Sequence, residues 1–369
     1  MTPMLMSDRQ IIKRRLTKMI RDLMNNDIAQ FNNLQILDFK RSKQVEIFIH
    51  NGTPLLAALG KNAGTVSMTP KQAKVLDQNW TKFKVKHHAK GEYFYWYTFP
   101  LMNYYHCIND GLGPIYKYLE LKQDKPDLKF MLNKDPRKIE THPPFVFELL
   151  DLLDIEYEFS DENYSYERVY FADTLVQHPN GSRSRPKDGV YEMIRKLVKV
   201  SRDRYPDVTV HNKVYLSRRA HANPLNDRKE IIGEDNTVKR GITNEDGMVE
   251  ILQDLGYSEV FGENYNLGEK ISMFSRMDKY ISTAGAGVTN ILWRIDQPLA
   301  VGGIHSPGFP FPGPKHNRHI CTGPQMKDSH INIYPGKVRF VNEDPNIRKY
   351  NHPWYIDNLK EFRKWAHSV

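Results

Sequence analysis

The stretch Ser282-Thr283-Ala284-Gly285-Ala286-Gly287-Val288-Thr289-Asn290 decides how this chain is read. Immediately before it, Lys279-Tyr280-Ile281-Ser282 is short, apolar and aromatic, the composition of a buried strand. Immediately after, Val288-Thr289-Asn290-Ile291-Leu292-Trp293 opens a helix. A glycine pair at a strand-to-helix turn lets backbone N–H groups approach an anion, and the start of the following helix carries partial positive charge. A phosphorylated ligand is therefore expected at Gly285, Ala286, Gly287 and Asn290. Gly-x-Gly also occurs in structural turns, and Asn290 stands where the third glycine of a dinucleotide fingerprint would fall, so the stretch alone leaves both readings open.

Working outward, the C-terminal half alternates strands and helices. Lys213–Leu216 reads as a strand, Asn244–Leu255 as a helix capped by Asn244 with acids in its first turn, and Glu259–Phe261 as a strand. A helix at Leu267–Met277, the strand Lys279–Ser282, a helix at Val288–Arg294 and a final strand at Pro298–Gly302 complete the order. That succession is the pattern of a parallel, doubly wound sheet, in which ligands bind beyond the carboxyl ends of the strands. Two loops there are chemically equipped. Ser217-Arg218-Arg219 brings guanidinium forks and the glycine turn brings backbone amides, a combination suited to a diphosphate.

The N-terminal half reads as a second α/β layer: a strand at Val45–His50, a helix around Leu101–Leu121, a strand at Leu128–Leu132, a helix at Pro144–Leu153, a strand near Val169–Ala172 and a helix at Tyr191–Val200. A seam near residues 201–212 divides an N-terminal domain, 1–205, from a C-terminal domain, 206–345. The tail 346–369 closes with an amphipathic helix at Pro353–His367, expected to pack across both domains.

Composition narrows the class. The chain has 369 residues, enough for two domains, and 40% hydrophobic with 11% aromatic residues marks it as folded. Cys107 and Cys321 are far apart and supply neither a disulfide framework nor a zinc site. A net charge of +9 favours a phosphorylated or polyanionic partner. No basic stripe interleaved with aromatics is present beyond the N-terminal segment, which argues against a nucleic-acid partner. No apolar run reaches the roughly 18 residues of a membrane span, and no signal-peptide core is evident, so a soluble, cytoplasmic chain is expected. Ile12, Leu16, Met19, Ile20 and Leu23 recur at helical spacing among Lys13, Arg14, Arg15, Lys18 and Arg21. A surface helix packed on the body is the preferred reading and a peripheral membrane contact the alternative. The sequons at Asn51, Asn79, Asn163 and Asn180 matter only in a secreted protein.

Several residue groups, in order, resemble family 61 glycosyltransferases: Tyr215-Leu216-Ser217-Arg218-Arg219, Arg240-Gly241-Ile242-Thr243-Asn244-Glu245-Asp246, Leu255-Gly256-Tyr257, Leu267 through Phe274, and Gly285 through Asn290. In the first half, Asn103-Tyr104-Tyr105-His106-Cys107-Ile108-Asn109-Asp110 resembles the family's Asn-x-x-His-x-x-x-acid element. These are the relatives of plant β-1,2-xylosyltransferase and of the extracellular and O-mannose N-acetylglucosaminyltransferases. The resemblance implies a GT-B architecture, two Rossmann-like domains facing across a cleft, and transfer of a sugar from a UDP-sugar donor to a glycan or glycoprotein acceptor with inversion. Xylose is the first expectation for the sugar. One position departs: Ala284 stands where the family usually has histidine, which puts the donor contacts in doubt and opens the alternative of a weakened nucleotide-sugar-binding protein.

Inverting transfer requires a base to take the acceptor hydroxyl's proton. On a helix Asn103, His106 and Asp110 share one face. Asp110 is the candidate base, with His106 orienting it or binding acceptor; the competing reading makes them a solvated acid and a core histidine. No metal site is evident, since the Asp-x-Asp of metal-dependent transferases is lacking. Arg218, Arg240 and the Gly285 and Gly287 amides would then stabilise the departing UDP, with Ser217 beside them. Asn244 and Glu245 read as helix capping and helix charging. Glu269 reads as a ribose contact or a solvated first-turn acid. A nicotinamide or S-adenosylmethionine enzyme remains as a rival, but its glycine turn normally follows the first strand of its domain.

Overall fold

The structure is a computed structural model and describes residues 28–37, 46–50, 53–57, 85–96, 104–132, 142–161, 163–172, 188–217, 242–305, 330–340 and 354–369. The chain divides into two compact units, Met1–Met193 and Ile194–Val369. In the first lie β1 (Ile28–Leu37), β2 (Glu46–His50), β3 (Thr53–Ala57), β4 (His87–Tyr95), α1 (Tyr104–Asp124), β5 (Lys129–Leu132), α2 (Pro144–Leu152), β6 (Tyr157–Phe159) and β7 (Tyr164–Ala172). Helix α3 (Asp188–Arg204) spans the boundary, and the division read from the sequence after residue 205 falls just past its end.

The first unit is a mixed sheet in the order β3-β2-β1-β7-β4-β5-β6. Strands β7, β4, β5 and β6 run parallel, and the meander β1–β3 adds antiparallel to β7. A parallel sheet needs cover on both faces, and Tyr93, Phe94, Tyr95 and Trp96 at the end of β4 are all buried. Strand β4 escapes sequence reading because it begins His87-His88-Ala89-Lys90-Gly91-Glu92, polar and mostly exposed, before its apolar end. Strand β7 extends back to Tyr164 from the expected Val169. Helix α2 forms where expected: Pro144 has the φ of a first helical residue, and Val146, Leu149 and Leu150 bury one face.

The second unit contains β8 (Lys213–Leu216), α4 (Glu245–Asp254), β9 (Ser258–Val260), α5 (Leu267–Phe274), β10 (Lys279–Thr283), a 3₁₀ helix (Ala286–Arg294), β11 (Ala300–Ile304), β12 (His330–Ile333), β13 (Val338–Phe340), β14 (Trp354–Ile356) and α6 (Leu359–Ser368). Its main sheet is entirely parallel, ordered β12-β11-β10-β8-β9. Counted within the unit this is a Rossmann-like, doubly wound order. One face, with Tyr215, Ile281 and Ile304, packs against Met248 and Leu252 of α4, Phe362 and Trp365 of α6, and Trp354 of β14. On the other face Tyr280 meets Phe274 of α5 edge-on with ring centroids 5.9 Å apart, and its hydroxyl donates to the Gly287 carbonyl at 2.8 Å.

Four local expectations are corrected. The helix after the glycine turn begins at Ala286 and is 3₁₀. The Tyr280 hydroxyl donates to the Gly287 carbonyl and ties the helix start to β10. Asn244 makes no side-chain cap. Its amide pairs instead with the Ile356 main chain, Nδ2 donating to the carbonyl at 2.9 Å and Oδ1 accepting from the N–H at 3.1 Å. The tail forms a strand before its helix: Trp354-Tyr355-Ile356 pairs with β13, and Asn358 caps α6 by accepting from the Lys360 and Glu361 amides. The strand expected at Pro298–Gly302 lies at Ala300–Ile304, and β12 follows beside it. Among the described residues no helix is long and apolar enough to cross a membrane. The amphipathic opening at residues 12–23 lies outside the described residues.

Candidate functional site

From β8 the chain winds outward to β9, and from β10 it winds the opposite way to β11 and β12. The order therefore reverses between β8 and β10, the kind of switch point at whose carboxyl ends doubly wound sheets bind their ligands. The two strands are paired up to Ser282 beside Leu216. Ser217 follows on β8, and on β10 Thr283 and Ala284 still pair with Ile304 before the glycine turn begins.

The turn is built for close approach. Gly285 has φ 155° and ψ −165°, a region open essentially to glycine. A Cβ on Gly287 would come 2.4 Å from Leu216 Cδ2, so the last side chain of β8 lies against the turn. Gly285, Ala286 and Gly287 are part-exposed, whereas Ser282, Thr283, Thr289 and Asn290 are buried. The first amides of any helix lack an intrahelical acceptor. The hydroxyls of Ser282, Thr283 and Thr289 add to them, because each is buried with no hydrogen-bond partner among the described residues. Leaving a buried hydroxyl unpaired costs about 1–3 kcal/mol. The turn thus presents part-exposed backbone amides suited to an anion, and the three unpaired hydroxyls that flank it in sequence are buried.

The β8 side differs in character. Tyr215 and Ser217 both donate to Glu245 Oε1, at 2.6 and 2.9 Å. Glu245 is the first residue of α4 and is 3% exposed, and Ser217 is 4% exposed. Sequence reading assigned Glu245 to charging the helix start. An acid in the first turn has no local mark that separates a solvated charge from a buried one.

A family model described as Glycosyltransferase 61 matches residues 104–300. The chain belongs to glycosyltransferase family 61. The matched span opens at the first residue of α1 and closes at the first residue of β11, so it contains α1, β8, α4, β10 and the glycine turn. Family membership makes the chain a glycosyl transferase. No curated protein matches the chain.

The other candidates of this family 61 chain are placed as follows. His106 and Asp110 lie one turn apart in α1, and their side chains are outside the described residues, as are Asn103, Arg218 and Arg240. The backbone around Asp110 is anchored: Trp96 Nε1 donates to the Gly111 carbonyl at 3.2 Å, and a Cβ on Gly111 would come 2.9 Å from the Trp96 ring. Pro114 sits inside α1 and has no N–H to offer the Asp110 carbonyl. Glu269 is the acid of a capping box, accepting from Asn266 N–H at 2.9 Å while its own N–H reaches Asn266 Oδ1 at 2.9 Å. Ala284 is buried, and its N–H donates to the Ile304 carbonyl at 2.9 Å, carrying the ladder one residue past β10. The structure brings Ser217, Gly285, Ala286, Gly287 and Asn290 to one switch point. Ser282, Thr283 and Thr289 flank the turn in sequence and are buried. They were visible in the opening stretch as hydroxyls, but nothing in a sequence shows that a hydroxyl is unpaired.

Proposed function

We propose that this family 61 enzyme transfers a sugar, with xylose the first candidate, from a UDP-sugar to a hydroxyl of a glycan or glycoprotein acceptor, with inversion and within a GT-B arrangement. The observation that carries the reading is the switch point of the second unit, where an accessible glycine turn is flanked by the unpartnered hydroxyls of Ser282, Thr283 and Thr289. That donor-rich turn supports a diphosphate ligand.

In this reading Asp110 takes the acceptor hydroxyl's proton as the oxygen attacks the anomeric carbon. The bond from that carbon to the UDP oxygen breaks on the opposite face, and the sugar leaves with inverted configuration. Negative charge then develops on the β-phosphate. The turn amides, with Arg218 and Arg240, stabilise it without a metal ion. His106, one turn from Asp110, orients the base or holds the acceptor.

The test pairs chemistry with binding. UDP should stabilise the protein against heat where NAD and S-adenosylmethionine do not, and a panel of UDP-sugars should identify a donor. Asp110→Asn should lower turnover roughly 10²- to 10⁴-fold at saturating donor while UDP affinity stays unchanged. Near-normal turnover in the folded variant would remove Asp110 from the mechanism. A second reading, a nucleotide-sugar-binding protein with weakened transfer, rests on Ala284. Wild type that binds UDP yet turns over no donor would select it.

A further inference from the structure

Three guanidinium groups converge on one helix end in the second unit. Ser275 follows the last residue of α5, and its carbonyl accepts from Arg202 Nη2 of α3 at 2.5 Å and from Arg294 Nη1 of the 3₁₀ helix at 3.0 Å. Arg202 Nε also donates to the Ser275 hydroxyl at 2.8 Å. Arg276, the next residue, donates from Nη1 to the Pro206 carbonyl just beyond α3, at 3.1 Å. Among the described residues, only Arg294 of the three has a carboxylate partner, that of Asp278 at 2.9 Å. Asp203 and Asp207, beside Arg202 and Pro206 in the chain, are exposed and make no ion pair with them. Arg195, two turns earlier in α3, shows the ordinary arrangement, forked onto Asp296 at 2.6 and 2.8 Å. Burial first, then the charges of Arg276 and Arg294, push the Arg202 guanidinium below its ordinary value, and no acid opposes them.

Capping α5 does not account for the whole cluster. A carbonyl has two lone pairs, and Arg202 and Arg294 already fill those of Ser275. The end of a helix offers about half a negative charge and Asp278 one more, which leaves over one positive charge unbalanced. Arg202 Nη1 and Arg276 Nε and Nη2 meet no acceptor among the described residues, and both side chains are part-exposed. We propose that Arg202 and Arg276 form a phosphate site at the amino end of β10. Guanidinium forks match phosphate oxygens, and a doubly charged phosphoryl group offsets the excess. The cluster adjoins Asp278, the residue before β10, whereas the glycine turn follows the other end of this five-residue strand, roughly 15 Å away. The ligand is therefore separate from the donor's diphosphate. Its phosphoryl group comes from a soluble phosphate or from the monoester headgroup of phosphatidic acid.

The experiment titrates inorganic phosphate calorimetrically into wild type, Arg276→Gln and Asp278→Asn, at ionic strength held constant with chloride because salt screens the same charges. Wild type should bind phosphate equally well with and without saturating UDP. Arg276→Gln leaves both bonds to the Ser275 carbonyl in place. It should bind phosphate about ten- to a hundredfold more weakly, the size of a hydrogen bond involving a charged group, with UDP affinity unchanged. Asp278→Asn releases Arg294 from its acid and should bind phosphate more tightly than wild type. A purely structural cluster predicts the same phosphate affinity in all three proteins, and that result overturns the proposal. Displacement of phosphate by UDP does so too, because the anion would then lie at the glycine turn. If Arg276→Gln does not fold, Asp278→Asn carries the comparison. Flotation with phosphatidylcholine vesicles, with and without phosphatidic acid, separates the sources: binding that needs both phosphatidic acid and Arg276 assigns a headgroup, and phosphate binding without flotation assigns a soluble ligand. Wild type that binds neither phosphate nor phosphatidic acid overturns the site.

Discussion

Thr289→Val isolates the suggestion that the glycine turn keeps hydroxyl protons for a ligand. Threonine and valine have the same branched shape and similar helix propensity, so the substitution in the 3₁₀ helix changes little besides the hydroxyl. That hydroxyl belongs to a residue 1% exposed and has no partner among the described residues. Removing an unpaired buried hydroxyl relieves about 1–3 kcal/mol of desolvation cost. For a unit of this size each kcal/mol moves the melting temperature by roughly 2–4 °C, so Thr289→Val should melt about 2–12 °C higher than wild type. Affinity should move the other way. Loss of one hydrogen bond to a charged phosphate weakens UDP binding about ten- to a hundredfold. Thermal melts without ligand and calorimetric titration with UDP read the two effects separately. A variant that melts at or below wild type and binds UDP normally refutes the reasoning, because the hydroxyl would then be satisfied within the protein and absent from the site.

Two further outcomes probe the scaffold. Gly302→Ala should destabilise the second unit by about 1–3 kcal/mol, since overpacking a filled core forces neighbours aside; the new Cβ would lie 2.7 Å from Ile281 Cγ1 and 3.0 Å from the Trp365 ring. An unchanged melting temperature would mean that α6 does not dock on β11 as described. In the first unit burial pushes the Glu92 carboxyl up, but hydrogen bonds from Lys125, Arg168 and Tyr170 outweigh it and hold the group below its ordinary value. A carboxyl lowered by folding contributes stability above its unfolded pKa and loses it as pH falls through the folded one. Glu92→Gln should therefore be less stable than wild type near neutrality, with the gap closing below the usual carboxylate range. Urea midpoints measured from about pH 7 down to about pH 3 would show a constant gap if Glu92 were unperturbed.

What could be read from the chain alone was local in sequence. The glycines of Gly285-Ala286-Gly287 announce a close backbone approach wherever they fold, and the apolar run Lys279-Tyr280-Ile281 marks a buried strand by composition. The alternation of short apolar runs with helical periodicity from Lys213 to Gly302 placed all four strands read there, to within a few residues. Polar strands were lost: β4 opens with two histidines and a lysine, and its strand character comes from pairing with β5 and β7, not from its own residues. The strand order was equally invisible, because hydrogen bonds between β8 and β10 join residues more than sixty positions apart. That order, and no motif, puts Ser217 beside the glycine turn. Asn244 illustrates the same division: the residue before a helix of acidic first turn has the composition of a cap, yet its amide completes a pairing with Ile356, over a hundred residues away. Glu245 is the sharpest case. Whether an acid at a helix start is solvated or buried depends on what the fold lays over it, and here tertiary packing brings the Tyr215 and Ser217 hydroxyls onto one of its oxygens, turning an expected surface charge into a buried acceptor.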